Sequence, residues 1–357
     1  MKIALLTYSS KPRGGVVHTL ALAEALARSG QDVAVWSLGR GGDSAFFRPV
    51  DPAVDVRMVA FEHRDGESVG ERILRSIAVL RQAFTPDEYD IVHAQDCISA
   101  NAAGRCVRTI HHLDEFTTPE LAACHERAIT VPYARICVSA AVANDVRRGW
   151  GVEPTVIPNG VDAERFAAAE RSGRSHWSAQ LGRYVVAVGG IEPRKGSLDL
   201  LDAFAQVRSD AGTGELQLVF AGGETLFDYR EYRTEFDRRA RELGVEPVIL
   251  GTVDDDELPH LVAQAAVLPF FSTKEGFGLA AMEALAASTP VVARDLPVLR
   301  EVFADSVTYA SSVESMAIEI ERALVEPPDP TPGLLLAHSL TWDEAARRHV
   351  DFYSSLR

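Results

Sequence analysis

One phrase repeats along this chain from end to end: a short apolar run of strand character, then a segment with helical spacing. KIALLTY (2–8), DVAVWSL (32–38), YDIVHAQD (89–96), RTIHHLD (108–114) and ARICVS (134–139) are the first such runs. HTLALAEALARSG (18–30) shows the helical half, with apolar residues three and four apart and a glycine stop. Strands that alternate with helices join as parallel neighbours, and a parallel sheet needs helices on both faces. The repeated phrase therefore predicts an α/β fold and excludes an all-helical bundle or a β-sandwich.

The phrase breaks once. VIPNGVDAERF (156–166) reads as a Pro-Asn-Gly turn, and a polar segment runs on to Gly182. YVVAVGG (184–190) then restarts the series, followed by LQLVFAGG (216–223), PVILGTV (247–253), AAVLPFF (265–271) and TPVVARD (289–295). The 357 residues exceed the span one core fills, about 250–300 residues. We expect two Rossmann-like domains, 1–165 and 178–335, facing each other across a cleft. PPDPTPG (327–333) is expected to be a loop. TWDEAARRHVDFYSSL (341–356) is expected to form a last helix opened by a Thr/Asp cap.

The composition, 46% hydrophobic and 24% charged, is that of a soluble globular protein. No apolar run reaches the roughly 18 residues of a membrane span. The start, MKIALLTYSSKPRGG, lacks the apolar core and cleavage site of a secretory signal, so the cytoplasm is the expected location. A net charge of −15 argues against a nucleic-acid partner. Residues 1–165 are close to neutral, with 21 acids and 18 bases. Cys97, Cys106, Cys124 and Cys137 form no metal-ligand spacing and read as reduced thiols. SVGERILRSIAVLRQAF (68–84) is amphipathic and reads as a surface crossover helix, with membrane docking the weaker alternative.

Open parallel sheets bind ligands beyond the carboxyl ends of their strands, so chemistry is sought there. After the first strand, Gly14 and Gly15 allow a tight turn at a helix start, an anion or hydroxyl site or simply a turn. After YVVAVGG come Arg194, Lys195 and Gly196, just ahead of a helix. Cations are disfavoured at that end of a helix, and two of them suit an anion such as a diphosphate. With 32 arginines and only four lysines, Lys195 stands out as a compact point charge in a glycine-rich motif.

FSTKEGFGLAAMEALAAS (271–288) holds two carboxylates eight residues apart. Gly276 and Gly278 free backbone amides at the start of a helix that is apolar nearly all round. A carboxylate in such a helix needs donors, and sugar hydroxyls would serve Glu283; an arginine is the alternative partner. Glu283 lies about 7 Å along the helix, the span from a diphosphate to a ribose. Glu275, in the loop, would face the sugar. His111, after a strand, is a further candidate and His93 a weaker one. Asp254, Asp255 and Asp256 read as helix capping rather than a metal site.

Taken in order, GGVVH, VIPNGVDAERF, VGGIEPRKG and EGFGLAAMEALAASTPVV resemble glycosyltransferase family four, whose fold is GT-B, over nearly the whole chain. The resemblance implies sugar transfer with retention from a nucleotide-diphosphate sugar to an acceptor hydroxyl, with no metal and no cofactor. It places the donor in the C-terminal domain and the acceptor in the N-terminal one, with the last helix crossing back. Lys195 would contact the diphosphate, with Arg194 beside it. Glu283 would contact the ribose and Glu275 the donor sugar. Gly276, Phe277, Gly278 and Leu279 would offer backbone amides. Gly14 and Gly15 would line the acceptor side, and His111 matches the family's cleft histidine. Two positions depart from the family pattern: Gly190 stands where an arginine usually helps to hold the diphosphate, and Ser288 where glycine is common. The alternatives are a non-catalytic sugar-nucleotide-binding subunit, which Gly190 favours, and a sugar phosphorylase.

Overall fold

The computed structural model describes every residue except 115, 117, 173–175, 210–215, 224–228 and 357, and omits the side chains of 171, 172, 208 and 209. The chain divides into two compact units, Met1–Gly160 with Leu340–Arg357, and Val161–Ser339. The change of unit falls inside the Pro-Asn-Gly turn, so helix Ala163–Ser172 belongs with the second unit. Of the polar segment expected after that turn, residues 173–175 lie outside the described residues, and a short helix, Trp177–Leu181, follows them.

The first unit is built on seven parallel strands: β1 (Lys2–Thr7), β2 (Asp32–Arg40), β3 (Val54–Phe61), β4 (Ile91–Ala94), β5 (Val107–Ile110), β6 (Ala134–Cys137) and β7 (Thr155–Val156). Their order in the sheet is β3-β2-β1-β4-β5-β6-β7. Every residue of β4 and of β5 is buried, as expected for strands covered on both faces. The amphipathic segment forms helix Val69–Ala83, opened by a capping box between Ser68 and Glu71. Its Arg75 is paired with Glu67 at 2.5 Å and Arg81 donates to the Asn101 carbonyl, which is the behaviour of a crossover helix.

The last helix, Trp342–Ser355, is capped by the Thr341 hydroxyl and belongs to this first unit. It lies on helix Gly14–Arg28 and sends His349 and Tyr353, both fully buried, into the core. Gly160 makes its approach possible, because a Cβ there would stand 2.3 Å from the Trp342 amide nitrogen.

Among its described residues the second unit has six strands, β8 (Arg183–Val188), β9 (Leu216–Ala221), β10 (Val248–Gly251), β11 (Leu268–Phe270), β12 (Val291–Arg294) and β13 (Thr308–Ala310). They pair as β10-β9-β8 and β11-β12-β13. A parallel bridge between Val185 and Val267 links the two triplets, with Val186 donating to the Val267 carbonyl at 3.1 Å. The resulting order repeats that of the first six strands of the first unit. In such sheets β8 and β11 send their following chains to opposite faces, which opens a crevice between their ends. The segment expected to be a loop at 327–333 is one only in part, since helix Thr331–Ser339 begins inside it. Asp329 accepts from the Thr331 amide, and the proline sits where a helix tolerates it. No helix among the described residues is long and apolar enough to cross a membrane.

Candidate active site

The crevice at the ends of β8 and β11 is lined by Gly189, Gly190, Lys195, Ser197, Phe270, Phe271 and Ser272, among others. β8 runs into Gly189, whose φ of 131° only glycine adopts readily. Pro193–Lys195 then form a single tight turn, ended by Gly196 in the left-handed region at φ 65°. No other residue fits at 196: a Cβ would lie 2.2 Å from the Phe271 carbonyl oxygen. This close approach brings the PRKG turn against the loop that follows β11.

The two segments are then tied by charge. Lys195 Nζ donates to Glu275 Oε1 at 2.6 Å and Arg194 Nη1 to the same oxygen at 3.1 Å. Ser272 Oγ donates to it at 2.9 Å. The Thr273 amide donates to the Arg194 carbonyl at 2.7 Å, and Lys195 Nζ sits 5.4 Å from the centre of the Phe270 ring. The other side of the Arg194 guanidinium lies 3.6 Å from buried Glu192. Arg194, Lys195 and Glu275 are thus one cluster, partly open to solvent, at the carboxyl edge of the sheet.

Arg294, at the end of β12, braces the cluster from behind. Its Nε donates to the Phe271 carbonyl at 2.9 Å, and Nη2 bonds Asp199 in the first turn of helix Ser197–Ser209. The sequence carries no sign of this role beyond an arginine at a strand end.

Gly276, Phe277 and Gly278 are buried and lead into helix Leu279–Ala286. Gly278 is the N-cap at φ 99° and supplies no side-chain cap, so the first amides of the helix are not met by its own side chain. Glu283 is half-buried on this helix. Among the described residues none donates a hydrogen bond to its carboxylate. Burial pushes its pKa up to about 8; nearby Arg165 lowers it, while Asp255 and Asp162 add to the rise. Arg165 is ion-paired with Asp255 at 2.7 Å, so its charge reaches Glu283 without a direct ion pair among the described residues. Asp255 therefore does not cap the following helix. That helix, Leu258–Ala263, starts at Glu257 without a side-chain cap, a correction to the capping expected of the three aspartates.

Two family models match the chain: Glycosyl transferases group 1 over residues 174–332, and Glycosyltransferase Family 4 over residues 12–165. The chain belongs to glycosyltransferase family four. It is 29% identical over 338 residues to a phosphatidyl-myo-inositol mannosyltransferase of Mycolicibacterium smegmatis, covering 85% of this chain and 79% of that one. It is 27% identical over 359 residues to an MMP alpha-(1->4)-mannosyltransferase of Mycolicibacterium hassiacum, covering 85% and 83%. Among solved structures, sucrose-phosphate synthase from Thermosynechococcus elongatus matches with a TM-score of 0.80 at 19% identity, over 100% of this chain and 99% of that one. Anabaena Alr3699/HepE in complex with UDP and glucose matches with a TM-score of 0.73 at 20% identity, over 99% and 100%. The fold is GT-B, and the chain is a glycosyltransferase.

In the first unit of this glycosyltransferase, Gly14 and Gly15 open helix Gly14–Arg28, as the turn predicts. The half-buried His111 ring lies over Gly15, where a Cβ would stand 3.7 Å from its Cδ2. Burial holds the His111 pKa well below the ordinary histidine range, and His18 and Arg108 push the same way. His93, by contrast, lies within β4 and is fully buried. Its ring nitrogens bond the Tyr353 hydroxyl at 2.6 Å and the Thr109 hydroxyl at 2.7 Å, so it is a core residue. Behind His111 stand His18 at 4.7 Å between ring centres, then His349 at 6.4 Å from His18 and His93 at 5.8 Å from His349. Only His111 and His93 of these four were singled out from sequence. His18 ends the GGVVH stretch on helix Gly14–Arg28, and His349 sits on the last helix without any local motif.

Proposed function

We propose that the glycosyltransferase moves a sugar, with retention, from a nucleotide-diphosphate sugar to an acceptor hydroxyl, and that it needs no metal to do so. The observation that supports this most is the convergence of Lys195 and Arg194 beside the glycine-led start of helix Leu279–Ala286. Two cations and a row of backbone amides at one strand edge form a cradle for a diphosphate. As the sugar–phosphate bond loosens, the diphosphate gains charge, and preorganised donors stabilise that charge more than they stabilise the bound substrate. The cations take the part a metal would play.

Arg194 answers the departure at Gly190. The strand end carries no guanidinium, but the PRKG turn brings one back to Glu275 from four residues further on. Glu275 orients both cations and faces the donor sugar, and Glu283 accepts from the ribose hydroxyls. His111 and the Gly14–Gly15 turn belong to the acceptor side. The acceptor hydroxyl attacks from the face the diphosphate leaves, and its proton goes to a departing phosphate oxygen, so no covalent nucleophile is required. Neither glutamate serves as a proton-transfer pair in this scheme.

A thermal-shift screen against UDP, GDP and ADP sugars identifies the donor, since a ligand of the native state raises apparent stability. Transfer with the matched donor should continue in EDTA, and the product anomer should match the donor anomer. Inversion, or loss of activity on chelation that added magnesium restores, overturns the scheme.

A further inference from the structure

Two cysteines of the first unit meet where two helices pack. Cys97 opens helix Cys97–Ala103, just beyond β4, and Cys124 lies on helix Pro119–Thr130, which follows β5. Asn101 spans the pair. Its Nδ2 donates to the Cys97 carbonyl at 2.8 Å and to the Cys124 carbonyl at 2.8 Å, and it lies 3.4 Å from Cys124 Sγ. The two thiols share a side-chain hydrogen bond, and His125 makes another to Cys97. All four cysteines of the chain are free thiols.

The pair is asymmetric. Cys97 is half-buried and open to a small solute, whereas Cys124 is buried. The hydrogen bond from Cys124 holds the Cys97 thiol below the ordinary thiol range. Burial and Asp96 oppose this, and His125 and the Arg108 charge favour it. Arg108 is a buried guanidinium on β5, and its Nε and Nη1 have no hydrogen-bond partner among the described residues. Asp96 is its nearest counter-charge in effect, but that carboxylate already accepts from the amides of Tyr8 at 2.8 Å and Ser99 at 2.7 Å, and burial raises its pKa. A thiolate at Cys97 gives the guanidinium a further counter-charge. The bond to Cys97, with burial behind it, pushes the Cys124 thiol up, so Cys124 keeps its proton and donates. Burial pushes Cys106 and Cys137 up to about 12, which leaves them inert.

An accessible thiolate in contact with a protonated thiol is the arrangement of an attacking and a resolving cysteine. We infer that Cys97 and Cys124 form an oxidation site for hydrogen peroxide, which closes to a reversible disulfide between the helices that follow β4 and β5. The Cys97 sulfur attacks one peroxide oxygen; an S–O bond forms, the O–O bond breaks, and the departing hydroxide leaves as water with the proton that Cys97 had lost. Cys124 Sγ then attacks the sulfenic sulfur. The S–S bond forms, the S–O bond breaks, and the hydroxide leaves as a second water with the Cys124 proton. Two thiols are oxidised and one peroxide is reduced to water. An external dithiol reverses the link by exchange. The closed loop contains His111, so the disulfide fastens the chain on both sides of that residue.

The test is peptide mapping of the full chain by mass spectrometry. At neutral pH, iodoacetamide should label Cys97 at least about tenfold faster than Cys106 or Cys137. Hydrogen peroxide should join the Cys97 and Cys124 peptides, leave Cys106 and Cys137 reduced, and be reversed by dithiothreitol. In Cys124→Ser, dimedone should trap a sulfenic acid at Cys97. In Cys97→Ser, Cys124 should stay a thiol through the same treatment. The wild-type arms need no substitution, so a variant that fails to fold does not decide the matter. Labelling of Cys97 no faster than that of Cys106 and Cys137 overturns the inference, and so does peroxide treatment that yields no link between Cys97 and Cys124.

Discussion

Lys195 Nζ and Glu275 Oε1 stand 2.6 Å apart although 80 residues of sequence separate them. The pair joins the turn after β8 to the loop after β11, and its geometry rests on Gly196 having no side chain. Lys195→Ala should lower kcat by about 100- to 1,000-fold, the usual cost of one charge-stabilising donor. Lys195→Arg should recover little, because a planar fork does not replace a point charge at this distance. Steady-state kinetics with the matched donor decide it, and an unchanged kcat in Lys195→Ala removes the leaving-group scheme.

If Glu283 accepts from the donor ribose as proposed, donor binding should release protons. With its pKa raised to about 8 by burial, the carboxyl is mostly protonated at neutral pH in the free enzyme. Ribose hydroxyls that donate to it favour the ionised form, so binding at neutral pH should release up to about one proton. The release should vanish above the free-enzyme pKa. Calorimetry in two buffers of different ionisation enthalpy measures it. Glu283→Gln should abolish the release and raise donor KM more than it lowers kcat. A large kcat loss at constant KM contradicts the ribose role.

The histidine stack of the first unit makes stability depend on acid. Burial lowers His18 to about 3 and His349 to about 4, and holds His93 well below its ordinary value. These folded-state values lie below the unfolded one of about 6.5, so the unfolded chain binds protons first as pH falls. Stability is intact above about pH 6.5 and declines down to the folded values. By pH 5 each fully buried histidine removes up to about 2 kcal/mol. Urea unfolding at several pH values tests this, and a flat profile between pH 7.5 and 5 contradicts it.

Ser288 has φ 60°, a left-handed conformation that a residue with a Cβ adopts at a cost of about 1–2 kcal/mol. It follows the C-cap of helix Leu279–Ala286, the position where glycine is normally found. Ser288→Gly should raise stability by about 0.5–1 kcal/mol, once the added freedom of the unfolded chain is subtracted. Chemical denaturation reads the change, and activity should hold.

Much of this was legible in the sequence, for physical reasons. Parallel strands covered on both faces must be apolar along their length, so runs such as YVVAVGG announce themselves. Glycines at 196 and 278 mark the backbone conformations on which the site is built. Residues whose roles come from tertiary approach were not legible. Arg294 braces the site through the Phe271 carbonyl, and His18 and His349 meet only because the last helix lies on the first. The aspartate run misled because local capping chemistry predicted one role, while Arg165, 90 residues away, drew Asp255 into another.

Helix Trp342–Ser355 completes the core of a unit that otherwise ends at Gly160. In order of synthesis, the unit begun first is therefore finished last. Until residue 353 leaves the ribosome, His93 lacks the Tyr353 hydroxyl and His18 lacks Trp342 beside it. Val161–Ser339 has all its strands in one continuous stretch and can fold while the earlier sheet still waits for its closing helix.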